Sequence, residues 1–350
     1  MPGRIRFWGD VPPRNVEAIK RELDAQRLAG NFNPFDTINY LAISGGGSDG
    51  AFGAGLLVGW SETGSRPRFD VVTGISTGAL TAPFAFLGPD YDAQLKEVYT
   101  TYGENALVRH RPLLLAVTDA SIASNAPMVA LIEHYVSFEF LAAVAREYRQ
   151  GRRLLIGTTH LDAQRPVIWD MGAIAARGDQ DAVELFRNVI LASVSVPGIF
   201  PPVLISVTQG GRYYDEMHVD GGVVSQVFLF PTQFDPRSLD KRLGRSPTRR
   251  LFVIRNGRLG AEWETVEPSL LKIADRSLSS LIKYQGRGDL DRIYFESRSY
   301  NVGFNLASIP DSFMEKEPAP FDLTYMKALF EAGYASGRSG YRWRKKPPDL

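Results

Sequence analysis

Short apolar runs of strand length alternate with longer stretches of helical spacing along most of this chain. The spacing predicts an amphipathic helix over residues 14–28, stopped by Gly30. Strands are predicted over 38–44 and 69–73, each followed by a helix, and residues 91–150 read as mainly helical. Further strands are predicted over 153–160 and 166–170, a helix over 180–195, and strands over 203–207, 212–219 and 250–255. A helix over 268–285, a strand over 293–299 and a last helix over 322–336 complete the map. Strands alternating with helices imply an α/β fold, a mostly parallel central sheet covered by helices on both faces. The same map divides the chain into an N-terminal amphipathic helical extension (1–37), a main domain (38–300, with 91–150 a candidate helical cap) and a C-terminal region (301–350). In the last, a helix and a tail of interleaved basic and aromatic residues pack on the same domain.

One stretch imitates a membrane span: no charge falls between Asn188 and Gly211. Pro197, Pro201 and Pro202 interrupt it, and prolines at mid-span would leave backbone groups unpaired in hydrocarbon. The pattern is better met by the end of a buried helix, a proline-fixed loop and a core strand. Ile199 and Phe200 in that loop are candidates either for lining an acyl-chain pocket or for plain core packing.

Composition narrows the function. The 350 residues, 44% hydrophobic and 23% charged, can bury a sizeable core. A net charge of +1 provides no global field for nucleic acid, and the absence of cysteine removes disulfide frameworks and thiolate metal sites. The first ten residues lack the apolar core of a signal peptide, and no transmembrane segment is predicted. The expected location is therefore cytoplasmic or, where a leader has been removed, periplasmic or secreted, with membrane association open. The tail Arg338-Ser339-Gly340-Tyr341-Arg342-Trp343-Arg344-Lys345-Lys346 reads as a solvated tail, with peripheral contact to an anionic membrane as the alternative.

Three motifs carry the chemistry. Gly74-Ile75-Ser76-Thr77-Gly78 lies between an apolar run and an alanine-rich one, the strand–turn–helix context in which a serine is thrust out of the backbone. Gly45-Gly46-Gly47-Ser48-Asp49-Gly50 joins a strand to a helix and offers bare N–H groups at the positive end of a helix dipole, suited to a phosphate or an oxyanion. It also satisfies the dinucleotide fingerprint, but the acidic residue at the right spacing, Asp70, opens its strand instead of closing it. Asp220-Gly221-Gly222 ends an alternating run; it reads either as a hairpin turn or as a carboxylate able to approach another turn closely.

Together with Ala192-Ser193-Val194-Ser195-Val196-Pro197-Gly198-Ile199-Phe200-Pro201-Pro202, these motifs resemble the patatin-like phospholipase family, in the family's order, over roughly residues 38–224. The resemblance implies a patatin-like three-layer sandwich and an acyl hydrolase acting on lipid esters through a serine–aspartate dyad. Ser76 would be the nucleophile and Asp220 the base. Gly45, Gly46 and Gly47 would frame the oxyanion hole, mainly through the N–H groups of Gly46 and Gly47, and Gly50, Gly74, Gly78, Gly221 and Gly222 would serve as motif glycines. No metal or cofactor is implied, since a carboxylate and backbone donors suffice. The implied partner is a lipid or ester substrate with peripheral membrane contact, not nucleic acid; oligomeric state is left open. Asp49 stands where the family usually has Arg or Lys. It is a candidate tuning residue, expected to weaken activity on anionic phospholipids relative to neutral ones. His218, two residues before Asp220 on one strand face, is a second.

Two alternatives stand beside this reading. An α/β-hydrolase-type triad esterase needs a late histidine after its acid. Of the four histidines only His218 is late, and it precedes Asp220. A catalytically silent lipid-binding relative would need no intact motifs, and all are present.

Overall fold

In a computed structural model the described residues are 5–11, 37–107, 123–229 and 247–348, with isolated positions 21, 25, 109, 110, 121, 235, 237 and 350. The helix predicted over 14–28 lies outside them. The strands are β1 (Arg6–Trp8), β2 (Ile38–Ile43), β3 (Val71–Ile75), β4 (Arg109–His110), β5 (Ala123–Ser124), β6 (Arg153–His160), β7 (Arg165–Asp170), β8 (Val203–Gln209), β9 (Arg212–Asp220), β10 (Arg249–Arg255) and β11 (Gly303–Ser308). The helices are α1 (Gly50–Glu62), α2 (Thr77–Leu87), α3 (Asp92–Thr101), α4 (Glu104–Leu107), α5 (Ala126–Tyr135), α6 (Phe138–Arg149), α7 (Met171–Ala175), α8 (Gln180–Ser193), α9 (Leu270–Ser299) and α10 (Leu323–Arg338).

Among the described residues nine strands form one sheet in the order β1-β7-β6-β3-β2-β10-β11, with β9 paired to β6 and β8 beyond β9. The central run β6-β3-β2-β10-β11 is parallel. β7, β1, β9 and β8 join it antiparallel. β2 and β6 are buried along their whole length, as strands covered on both faces must be, although β6 carries Arg153, Thr158, Thr159 and His160 as well as its apolar run. Leu41, Ile43, Leu154 and Ile156 point into the larger core with α1, α2, α8 and α10. Tyr40, Ala42, Leu251 and Val253 point the other way, onto Leu290 and Ile293 of α9. The fold is thus the three-layer α/β arrangement the chain's alternation implied.

α1 and α10 cross with their backbones in contact. A Cβ on Gly55 or Gly59 would sit 2.0 or 2.1 Å from the carbonyl oxygen of Phe330 or Tyr334. One on Gly333 or Gly337 would meet the carbonyls of Phe52 or Leu56 at 2.3 and 2.4 Å. Two glycine pairs, each four residues apart, let one helix seat on the other.

The structure differs from the sequence map at several points. The strand predicted over 293–299 is the end of α9, which starts at Leu270 after Ser269, whose side chain accepts from the Lys272 N–H, and runs on through Gly286 and Gly288. The strand it displaced is β11, paired with β10. Glycines inside a helix read as breaks when only propensity is available. The tail is split: Trp343 packs against Trp60 and Phe252, each at 5.0 Å, and the Arg344 backbone bridges to Leu306, while the side chains of Arg342, Arg344, Lys345 and Lys346 stay exposed. Ile199 and Phe200 pack in the core. Among the described residues no single helix is long and apolar enough to cross a membrane.

Candidate active site

Ser76 sits where β3 gives way to α2, with φ 55° and ψ −127°, a conformation side-chain-bearing residues rarely adopt. The turn closes this tightly because its flanks are glycine. A Cβ on Gly74 would lie 2.3 Å from the carbonyl oxygen of Gly78, and one on Gly78 would lie 2.4 Å from that of Ile43. Gly50 plays the same part opposite: its Cβ would fall 2.1 Å from Thr77 Oγ1. The Ser76 N–H donates to Ser193 Oγ (3.0 Å), and Ser193 in turn donates to the Gly157 carbonyl (2.7 Å).

The sheet brings Asp220 to Ser76. Along one edge of β6, β3 pairs up to Ile75 opposite Gly157. β9 takes over on that edge from the opposite direction, with Asp220 opposite Thr158. The two strands end nose to nose on consecutive residues of β6. Residues 144 apart in sequence therefore meet, and Ser76 Oγ donates to Asp220 Oδ2 at 2.6 Å. The other carboxylate oxygen accepts the Gly222 N–H at 2.6 Å, and the Asp220 N–H donates to the Ser195 carbonyl at 2.9 Å. The run 192–202 thus holds both partners, Ser76 through Ser193 and Asp220 through Ser195. A Cβ on Gly221 would lie 2.5 Å from the Gly157 carbonyl oxygen, so the turn can approach β6 only with glycine there.

Burial pushes the Asp220 carboxyl up to about 7, against the lowering effect of the Ser76 and Gly222 hydrogen bonds. A carboxylate of that basicity, accepting from a serine hydroxyl, is matched to proton transfer near neutrality.

The glycine loop lies beside this pair. Gly45 is buried, and a Cβ on it would be 3.1 Å from Ser76 Cβ. Its N–H donates to the Gln226 carbonyl at 3.1 Å, so Gly45 contributes shape, not a free donor. Gly46 and Gly47 are exposed. The Gly45 carbonyl is pinned by Arg255 Nη1 (2.9 Å) and Ser44 Oγ (2.7 Å). In a trans peptide the next N–H points the opposite way, so this anchoring turns the Gly46 N–H away from Arg255.

Arg255 ends β10 and is buried; it also donates to Ser44 Oγ at 3.0 Å and to the Asn256 carbonyl at 3.2 Å. Sequence reasoning missed it, though a charged residue closing an apolar parallel strand stands where sites form in such sheets. Asp49 does not cap α1: its carboxylate accepts from Tyr325 Oη of α10 at 2.6 Å, and burial raises its pKa while Tyr325 and Arg255 oppose this. The cation beside the loop is thus Arg255, from another strand.

The histidines are placed elsewhere. Trp169 Nε1 donates to Thr158 Oγ1 (2.8 Å), and the same hydroxyl is hydrogen-bonded to His218 Nδ1 (3.0 Å). His218 Nε2 faces Glu216 at 3.3 Å. Burial drops the His218 pKa to about 4, so the ring is neutral, with both nitrogens engaged away from Ser76. His160 pairs with the same Glu216, and Arg6 closes on that carboxylate from β1. His134 stacks edge-on against Tyr135, and the His110 side chain is outside what the structure describes. Among the described residues no cluster of His, Asp or Glu could hold a metal ion.

A family model described as patatin-like phospholipase matches residues 41–232, over half the chain, including the glycine loop, Ser76 and Asp220 but not Arg255. No curated protein matches the sequence. Among solved structures, VipD from Legionella pneumophila shares 10% identity, with 88% of this chain and 67% of that one aligned at a TM-score of 0.41. Human GIVD cytosolic phospholipase A2 shares 10% identity, with 97% of this chain and 64% of that one aligned at a TM-score of 0.36. The chain spans about two thirds of the length of each, and both likenesses are too distant to bear on its chemistry.

Proposed function

Because this chain belongs to the patatin-like phospholipase family and is a lipid acyl hydrolase at that level, we propose that it cleaves carboxylic esters of lipids with Ser76 and Asp220 as a two-residue catalytic unit. The observation that carries the reading is the 2.6 Å bond from the Ser76 hydroxyl to a carboxylate of raised basicity, with no histidine among the hydrogen-bond partners of either group in the described residues. In the first half-reaction Asp220 Oδ2 takes the Ser76 proton as Oγ bonds to the ester carbonyl carbon. The carbonyl oxygen becomes an oxyanion, met by the N–H groups of Gly46 and Gly47 at the head of α1. Collapse breaks the bond to the leaving alcohol, which takes the proton from Asp220. In the second, Asp220 removes a proton from water, hydroxide attacks the acyl carbon, and Ser76 leaves with that proton restored. The catalytic domain is read as extending over 38–300, which includes the matched residues 41–232.

The test is a fluorophosphonate probe together with hydrolysis of phospholipids, lysophospholipids and glycerides. Labelling of the wild type but not of Ser76→Ala, and loss of every hydrolytic activity in Asp220→Asn, are expected. Equal labelling of both proteins, or robust turnover by Asp220→Asn, would sink the dyad.

A further inference from the structure

α9 is amphipathic the wrong way round for a surface helix over its first half. At 100° per residue, Leu270, Ala274, Leu278 and Leu281 fall on one stripe, flanked by Leu271 and Ile282, while Lys272, Arg276 and Lys283 fall opposite. The polar side is the one tied to the protein. Arg276 Nη1 meets Glu264 at 3.2 Å, and Lys283 Nζ meets Glu262 at 2.7 Å. The apolar side is left facing water: Leu270 is 83%, Leu271 81% and Leu281 68% exposed, and Trp263, just before the helix, is 87% exposed. Beyond Gln285 the same helix reverts to ordinary packing, with Leu290 and Ile293 buried on the sheet. A contiguous apolar face of this kind marks an interaction surface.

We propose that the outward face of α9 over residues 270–284 is a docking surface for a lipid bilayer; the choice of occupant rests on the hydrolase reading above. Continuity with the site argues for it. Gln285 closes this half of the helix: its Oε1 accepts from Gln226 Nε2 (3.0 Å), which also donates to the Gly222 carbonyl (2.8 Å). Gln285 Nε2 reaches the Val223 carbonyl at 3.4 Å. The apolar face therefore runs directly into the turn that holds Asp220, and Val223 on that turn is itself exposed. A lipid leaving a bilayer against α9 would arrive at the turn that follows Asp220.

Charge matches a lipid surface of no net charge. Over residues 259–288 four carboxylates (Glu262, Glu264, Glu267, Asp275) balance four cations (Lys272, Arg276, Lys283, Arg287). Trp263 and Tyr284 are the aromatic types that settle at headgroup depth. Apolar insertion, not attraction to anionic headgroups, holds the helix down.

The full chain and the variant Leu278→Asp/Leu281→Asp are compared for co-sedimentation with phosphatidylcholine vesicles, hydrolysis of that lipid in vesicles, turnover of a water-soluble short-chain ester, and mass in solution. Ser279→Asp, on the polar side of the helix, is the control. The expected result is a drop of about tenfold or more in vesicle binding and in vesicle-lipid hydrolysis for the double variant. Soluble-ester turnover and thermal midpoint should stay unchanged, and Ser279→Asp should behave as wild type. Vesicle binding by wild type that ignores salt and added anionic lipid supports the apolar mode. Undiminished binding by the double variant overturns the proposal. So does a wild-type dimer that fails to bind vesicles and dissociates in the variant, which would assign the face to a second copy. Vesicle binding lost in the double variant, with neither protein hydrolysing any ester, upholds the docking surface and removes the dyad reading alone.

Discussion

At Ser76 the backbone N–H is held by Ser193 and the hydroxyl by Asp220, and the turn's glycines touch carbonyl oxygens of neighbouring segments. Along the first half of α9, by contrast, leucines stand in water and the polar side chains are the ones tied down. The first region is over-determined: a strained φ persists because strand, helix and hydrogen bonds all hold it. The second has no internal reason for its pattern. The proposed readings give each pattern a counterpart outside the chain, an ester carbonyl for the first and an apolar phase for the second.

The contrast breaks most severely at Asp220. Asp220→Asn should lower kcat by roughly 10²–10⁴-fold, the worth of a general base. Its folded pKa of about 7 lies above the ordinary carboxylate value, so the folded state binds the extra proton between about pH 4 and pH 7. Wild-type stability should therefore fall as pH rises through that window, and kcat/KM should fall as pH drops below about 7. Asp220→Asn removes the cost of burying the ionised group. Calorimetry should find it more stable than wild type at pH 8, by up to about 4 kcal/mol, and less distinct at pH 4. A variant that melts below wild type at pH 8 contradicts this account.

Next in size is the α1–α10 crossing, which holds the helix that starts at the glycine loop. Gly333→Val would force a Cβ to within 2.3 Å of the Phe52 carbonyl oxygen, so a loss of about 3 kcal/mol is expected in urea unfolding. An unchanged midpoint would mean that the helices slide apart freely.

A smaller effect sharpens the role of Arg255. Lysine keeps the charge but cannot reach Ser44, the Gly45 carbonyl and the Asn256 carbonyl together. Arg255→Lys should lower kcat by about tenfold to a hundredfold through a mis-aimed Gly46 N–H, with KM for a soluble ester little changed. A rise in KM alone would instead make Arg255 a substrate-binding group.

The smallest effect is expected on the other side of the comparison. Leu270→Ser should change folding stability by no more than about 0.5 kcal/mol, because the side chain is already in water. A large destabilisation there would show that the outer half of α9 packs on protein after all.

The local features were legible in the chain. Gly74-Ile75-Ser76-Thr77-Gly78 announced an elbow because that turn needs small flanks whatever surrounds it, and β2 announced itself as an apolar run because both its faces are covered. The resemblance supplied Asp220 as Ser76's partner. The reason they meet is not local: two strands end on adjacent residues of β6, and that register is written in no single segment. Arg255 and the glycine seams of α1 and α10 were invisible for the same cause, since each acquires meaning only opposite a neighbour. α9 was cut short because glycine propensity argued for a break at 286–288, where packing of Leu290 and Ile293 on the sheet carries the helix on. Periodicity reports which side of an element is apolar; only the assembled fold decided that, on this helix, the apolar side looks outward.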